Sequence, residues 1–160
     1  MPKSRLSGLS LALTALSALP APNAAAAPMK GSERPPPKLD LHVHAVGFKH
    51  QRGHAIAKLF VAGQRVTGSA HSTLRAEIRG TEATFNFAML AEGPYALVVF
   101  HDENDNGTVD HGFFGHGVYG PIEPIGFSNG YRLTLFSLPT FDKLKFILAP
   151  NRTHVEVGVK

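Results

Sequence analysis

Residues 101–110 read HDENDNGTVD, and their types and spacing belong to cation chemistry. Asp102, Asn104, Asn106 and Asp110 bring side-chain oxygens to positions 1, 3, 5 and 9 of a loop whose sixth position is Gly107 and whose seventh, Thr108, offers a carbonyl. A chain curls around Ca²⁺ with this pattern, every second residue turning an oxygen to the centre and the glycine making the tight turn. Position 12 breaks it. An EF-hand has a bidentate Glu there and two flanking helices, whereas this chain has Phe113 and enters the loop from YALVVFH, a strand sequence. The loop therefore reads as a calcium-loop variant outside the EF-hand fold. Glu123 is the first candidate for the missing carboxylate, ahead of Glu103 and Asp105, whose parity points them outward. His101 stands at the entrance beside Asp102, where a hydrogen bond to a ligand carboxylate would orient it. Hard oxygen donors favour Ca²⁺, and two certain carboxylates place the affinity on the order of 0.1 to 1 mM. A metal-free turn accounts for the same residues, since Asp and Asn make Asx turns and Asn106-Gly107 is a strong turn dipeptide.

Three other motifs carry less. His42 and His44 imitate the His-x-His of metal-dependent amidohydrolases, but those enzymes use a barrel of roughly 250 residues, about twice the domain present here. GFSNG (126–130) satisfies Gly-x-Ser-x-Gly, yet a nucleophile elbow lies between a strand and a helix, and here Pro121 and Pro124 precede Ser128 while a strand sequence follows. His101, His111 and His116 surround the acidic loop and could hold Zn²⁺ or Cu²⁺. A hydrolytic metal centre on those histidines is the enzyme alternative. The main expectation is a non-enzyme with no catalytic residue.

The elements that must position the loop alternate with period two. In LDLHVHAVG, Leu39, Leu41, Val43 and Ala45 share one face and Asp40, His42 and His44 the other. HAIAKLFVA reads as a strand covered on both faces. In TEATFNFAML, Ala83, Phe85 and Phe87 oppose Glu82, Thr84 and Asn86. YALVVFH, RLTLF, KLKFIL and THVEVGV complete the set. No helical periodicity occurs after residue 27. The expected fold is all-β, an antiparallel β-sandwich of about seven strands, immunoglobulin-like or transthyretin-like. The Gly-Pro-rich stretch 112–130 is long for a connection, and an ion would order it.

The chain around this domain reads as an export device. Lys3 and Arg5, an apolar run from Leu6 to Leu19, and small residues about Ala24 and Ala26 make residues 1–26 a cleaved signal peptide. The apolar run is well short of the roughly 20 residues that span a bilayer, so no transmembrane segment is expected after cleavage. Residues 27–38 contain Pro-Pro-Pro and read as an extended linker, and residues 39–160 as one domain. With no cysteine, an exported domain is stabilised by packing or by packing and a metal. The formal net charge of +4 comes from the first 38 residues, because Leu39–Lys160 holds 11 Lys plus Arg against 11 Asp plus Glu. That balance removes nucleic acid as a partner. Between Arg79 and Arg132 there is no Lys or Arg and there are seven acids, so the loop lies in an acidic tract that invites a cation.

EGPYALVVFHDENDNGTVD, PIGFSNG and LPTFDKLKFIL, in that order, give residues 39–160 a resemblance to an exported bacterial family, domain of unknown function 2141. The resemblance implies a small β-sandwich outside the cytoplasm and implies no activity. The chain departs from the family pattern at GHGVYGPIEPIG (115–126), where Glu123 is matched to the family's Glu. The combined expectation is a secreted, periplasmic binding or accessory module with an unidentified protein or small-molecule ligand and a Ca²⁺-clasped loop; the alternative is a metal-free structural or interaction domain.

Overall fold

In the computed structural model the described residues are 37–114, 117–134 and 136–160. The signal peptide, nearly all of the linker, and His116 lie outside them. The described residues lie within one compact unit.

Strand β1 (Lys38–Val46) is the centre of a three-stranded sheet, with β4 (Glu82–Ala91) antiparallel on one side and β10 (His154–Gly158) parallel on the other. A second sheet has the order β3 (Ser72–Ala76), β2 (His54–Val61), β5 (Gly93–Asp102), β8 (Ile125–Phe127), with the short β9 (Phe146–Leu148) also pairing to β5. Strands β6 (His111–Phe114) and β7 (Val118–Pro121) form a separate two-stranded ribbon. The protein is mostly β and its pairs are antiparallel apart from β1–β10 among the described residues.

The alternation in the sequence becomes the burial pattern. Leu41, Val43 and Ala45 of β1 are buried together with Ala83, Phe85 and Phe87 of β4, and they pack in one apolar cluster with Ala57, Leu59, Leu97 and Val99 of the other sheet. His42 and His44 face outward, and His42 stacks on His154 across the parallel pair at 4.9 Å between centroids. Strand β2 is covered on both faces, because Phe60 joins Ala96, Val98, Phe127 and Leu144 in a second cluster on the far side. Each fully buried Leu or Phe contributes about 1.5–3 kcal/mol, so β5, buried from Tyr95 to Asp102, is the most heavily anchored strand. The Tyr95 hydroxyl donates to the Ala91 carbonyl at 3.0 Å, and burial pushes the phenol's pKa up, the hydrogen bond working the other way.

Several expectations differ from the structure. Strands β6, β7 and β8 are hidden by glycine and proline and β3 (STLRA) by its shortness and lack of a fully buried face, and the stretch 112–130 is largely occupied by the β6–β7 ribbon, β8 and a 3-10 turn at Ser128–Gly130. RLTLF alternates, but its described residues form no named strand; Thr134 makes an isolated bridge to Ser137, and Phe136 is 98% exposed. Alternation selects a face only when a neighbouring strand is there to bury it, and here Tyr131 and Phe141 supply the cover for the second cluster instead. Residues Phe141–Leu144 form a single helical turn, α1, too short to show a period, with Leu144 as its buried residue.

Candidate metal-binding loop and its histidine neighbours

Strand β5 delivers the chain to the loop, and two backbone hydrogen bonds fix where the chain returns. His101 N–H donates to the Pro124 carbonyl at 2.9 Å, and Ile122 N–H donates to the Asp110 carbonyl at 2.9 Å. Glu123 is thereby held between the two ends of the loop. It is buried, and its carboxylate accepts the Glu103 N–H on Oε1 at 2.9 Å and the Asp110 N–H on Oε2 at 3.0 Å. A carboxylate is expensive to bury without partners, and two backbone donors compensate it by charge-assisted bonds. Glu123 is in this way a brace across the loop base, with both oxygens engaged by main-chain donors.

Inside the loop, fully buried Asp102 accepts the Asn106 N–H on Oδ1 at 3.0 Å and the Gly107 N–H on Oδ2 at 2.8 Å. Asn104 Oδ1 accepts the Asn106 N–H at 3.2 Å, and Asn106 Oδ1 accepts both the N–H and the hydroxyl of Thr108 at 2.8 Å. The Asp110 carboxylate receives the Asn104 amide at 2.7 Å and the Asn106 amide at 2.9 Å. The reversal needs left-handed backbone, found at Asp105 (φ 62°) and at Gly107 (φ 79°), where glycine carries no steric penalty. Asp102, Asn104, Asn106, Thr108 and Asp110 are thus one hydrogen-bonded set around a single turn. A cleft of about 340 Å³ lined by Arg52, Glu103, Asn104, Asp110, Ile122 and Glu123 opens beside it.

His101 does not meet Asp102 in the way its sequence position implied. Neighbouring strand residues point to opposite faces, and His101 Nε2 instead donates to the Arg52 carbonyl at 2.7 Å. Its ring is fully buried between Phe48, edge-on at 5.4 Å, and His50 at 4.7 Å between centroids. His101 Nδ1 stands 3.9 Å from Glu103 Oε1, and His50 Nε2 stands 3.4 Å from the same oxygen. Arg52 Nη2 lies 3.6 Å from Glu103 Oε2. Glu103 and Asp105 do point away from the loop interior. Asp105 pairs with His54 at 2.6 Å and Arg75 at 3.0 Å. Two acids of the tract, Glu103 and Asp105, thus meet basic side chains from 50–75, a segment the residue patterns alone do not connect with the loop. The signal was the pairing of HAIAKLFVA with YALVVFH: register places His54 opposite Asp102, so the residues just before β2 must meet those just after β5.

The histidine trio of the enzyme alternative is not assembled by the described residues. His111 Nδ1 donates to the Val109 carbonyl at 2.8 Å and its ring stacks on Tyr119, while His116 lies outside the description. Ser128 is fully buried at the start of the 3-10 turn, accepting the Leu97 N–H at 2.9 Å and facing the Leu144 carbonyl at 2.6 Å. Its hydroxyl ties α1 to β5. Ser128→Ala leaves the Leu97 N–H without that acceptor and is expected to lower stability by about 1–3 kcal/mol in urea melts, without any change in the ion response described below.

The family model described as "Uncharacterized protein conserved in bacteria (DUF2141)" matches residues 43–156. No curated protein and no solved structure matches the chain. The matched span runs from within β1 to within β10 and contains the whole 101–110 loop, its Glu123 brace and the β6–β7 ribbon. On that coverage, the chain belongs to this bacterial family, DUF2141.

Proposed function

We propose that this protein is an exported binding or accessory module, a β-sandwich whose 102–110 loop closes on Ca²⁺ as a structural clasp. The observation that carries the reading is the gathering of Asp102, Asn104, Asn106 and Asp110 around one turn, with the backbone reversed at Asp105 and Gly107. In this reading those four side chains and the Thr108 carbonyl supply oxygens, and Glu123 fixes the loop base. Ca²⁺ must displace the two Asn amide bonds to Asp110, so the affinity belongs at the weak end, on the order of 0.1 to 1 mM. The sandwich reading is supported by the single apolar cluster drawn from both sheets. Export is supported by the basic, apolar and small-residue order of residues 1–26. A surface for a protein or small-molecule partner is offered by the β6–β7 ribbon, where Phe113 and Tyr119 are 76% and 62% exposed and pack edge-on.

Equilibrium dialysis of the protein against millimolar Ca²⁺ tests the clasp. One ion per chain, lost in Asp110→Ala, is the expected result; no uptake sinks the proposal. A second reading, a metal-free turn in an interaction domain, is favoured by those same amide bonds, which satisfy Asp110 without an ion. It requires that chelator and Ca²⁺ leave the melting curve unchanged.

A further inference from the structure

The orphaned nitrogen of His101 marks a second site. The Arg52 carbonyl can only accept, so the 2.7 Å bond to Nε2 fixes the ring hydrogen there and leaves Nδ1 as a lone pair in the neutral ring. That Nδ1 is buried and has no hydrogen-bond partner among the described residues. Buried polar atoms are nearly always satisfied, and the unsatisfied His101 Nδ1, which faces Glu103 beside the His50 ring, calls for a specific cause. Glu103 contributes the third group: one ligand atom from each of His50, His101 and Glu103 lies within 4.8 Å of the others.

We propose that His50, His101 and Glu103 form a binding site for a borderline divalent transition ion, Zn²⁺ or Cu²⁺. Two imidazoles and a carboxylate suit these ions, whereas the all-oxygen loop suits a hard one. Ligand atoms around tetrahedral Zn²⁺ stand roughly 3.4 Å apart, from bond lengths near 2.0–2.1 Å. The His50 Nε2–Glu103 and His101 Nδ1–Glu103 separations of 3.4 and 3.9 Å are close to that spacing. His101 already has the support expected of a ligand, since its other nitrogen donates to a backbone carbonyl that sets tautomer and ring orientation. Phe48 packs against its edge and holds the ring in place. Three protein ligands leave a fourth position for water or a partner's donor atom.

Arg52 is the competing cation. Its guanidinium lies 3.6 Å from Glu103 and 3.5 Å from His50 Nε2, and its side chain is 73% exposed, free to swing away when an ion arrives. Its carbonyl still holds His101 after the side chain is changed. Arg52→Gln therefore strengthens ion binding, whereas a purely structural ion pair predicts no gain.

The test is calorimetric titration of the metal-stripped full chain with Zn²⁺ and with Cu²⁺ in millimolar Ca²⁺, which keeps the acidic loop out of the measurement. One ion per chain is expected, weakened at least roughly tenfold by His50→Ala and by Glu103→Gln, because losing a ligand costs no less than the roughly 10–100-fold lost when only a ligand's outer partner is changed. The two variants sit on partly exposed positions and should melt like the parent in chelator. Nitrogen splitting in the Cu²⁺ electron paramagnetic resonance spectrum should fall from two nitrogens to one in His50→Ala. Two controls retain binding: His154→Ala, in the outer-face pair with His42, and Asp110→Ala, in the acidic loop, so this site and the Ca²⁺ clasp fail independently. No saturable binding, unchanged binding in both His50→Ala and Glu103→Gln, or loss in His154→Ala overturns the proposal.

Discussion

Gly53→Ala is expected to destabilise the domain by about 3–5 kcal/mol, from left-handed strain of roughly 1–2 kcal/mol and a backbone clash at the upper end of overpacking costs. Gly53 has φ 74°, and a Cβ there would lie 2.0 Å from the Asp102 carbonyl oxygen and 2.8 Å from the Glu103 Cα. Neither atom belongs to a flexible side chain, so the strand end or the loop start must move. Both carry the site: Asp102 braces the turn, and the neighbouring Arg52 carbonyl orients His101. For a domain of this size the loss amounts to a fall of about 10–20 °C in Tm. Gly63→Ala separates strain from clash, because Gly63 has φ 86° with nothing within 4 Å of a Cβ, and it should lose only the roughly 1–2 kcal/mol of strain. Equal losses in the two variants, read from urea midpoints at an unchanged slope, would show that the close approach is not real.

Glu123→Ala carries the second large effect. Two main-chain donors, Glu103 N–H and Asp110 N–H, lose their charged acceptor at once. Hydrogen bonds to charged groups contribute about 1.5–3 kcal/mol each, and water can reach this partly exposed loop to recover some of that, so a net loss of about 2–4 kcal/mol is expected. Glu123→Gln keeps one acceptor oxygen and turns an amide toward the other N–H, so it should lose at least half as much. The loss persists in chelator, because the brace acts on backbone and not through an ion. A Glu123→Ala variant that is destabilised only when Ca²⁺ is present would make Glu123 a ligand instead.

Much of this arrangement was legible in the residues, and the limits have physical causes. Strands β1, β2, β4, β5 and β10 declared themselves because one or both faces are buried, which writes a period of two or a continuous apolar run into the sequence. The ribbon β6–β7 did not, since Gly112 pairs with Gly120 and His111 with Pro121, residues that read as turn. The parallel pairing of β10 with β1 is a long-range choice that no local pattern specifies. At the site, the curled set from Asp102 to Asp110 and the closing position of Glu123 followed from spacing and from a family resemblance. The role of Glu123 did not follow, because nothing in a sequence says whether a carboxylate meets an ion or two backbone N–H groups. His50 and Arg52 stayed hidden for a different reason: they are about 50 residues from His101 and arrive only through the β2–β5 register.

Asp110 is the residue on which the clasp can be tested most directly. Among the described residues its side chain bonds only to the Asn104 and Asn106 amides, while its N–H is held by Glu123, so Asp110→Ala removes an ion ligand and leaves the brace in place. The measurement is Tm of the parent protein and of Asp110→Ala in chelator, Ca²⁺ and Mg²⁺. One-site binding stabilises a fold by RT ln(1 + [L]/Kd), about 2.7 kcal/mol at a hundredfold excess over Kd, a rise of several degrees. The account predicts that rise for Ca²⁺ over Mg²⁺ in the parent and none in Asp110→Ala. A parent Tm that no ion moves, or a Ca²⁺ rise that survives in Asp110→Ala, would contradict it.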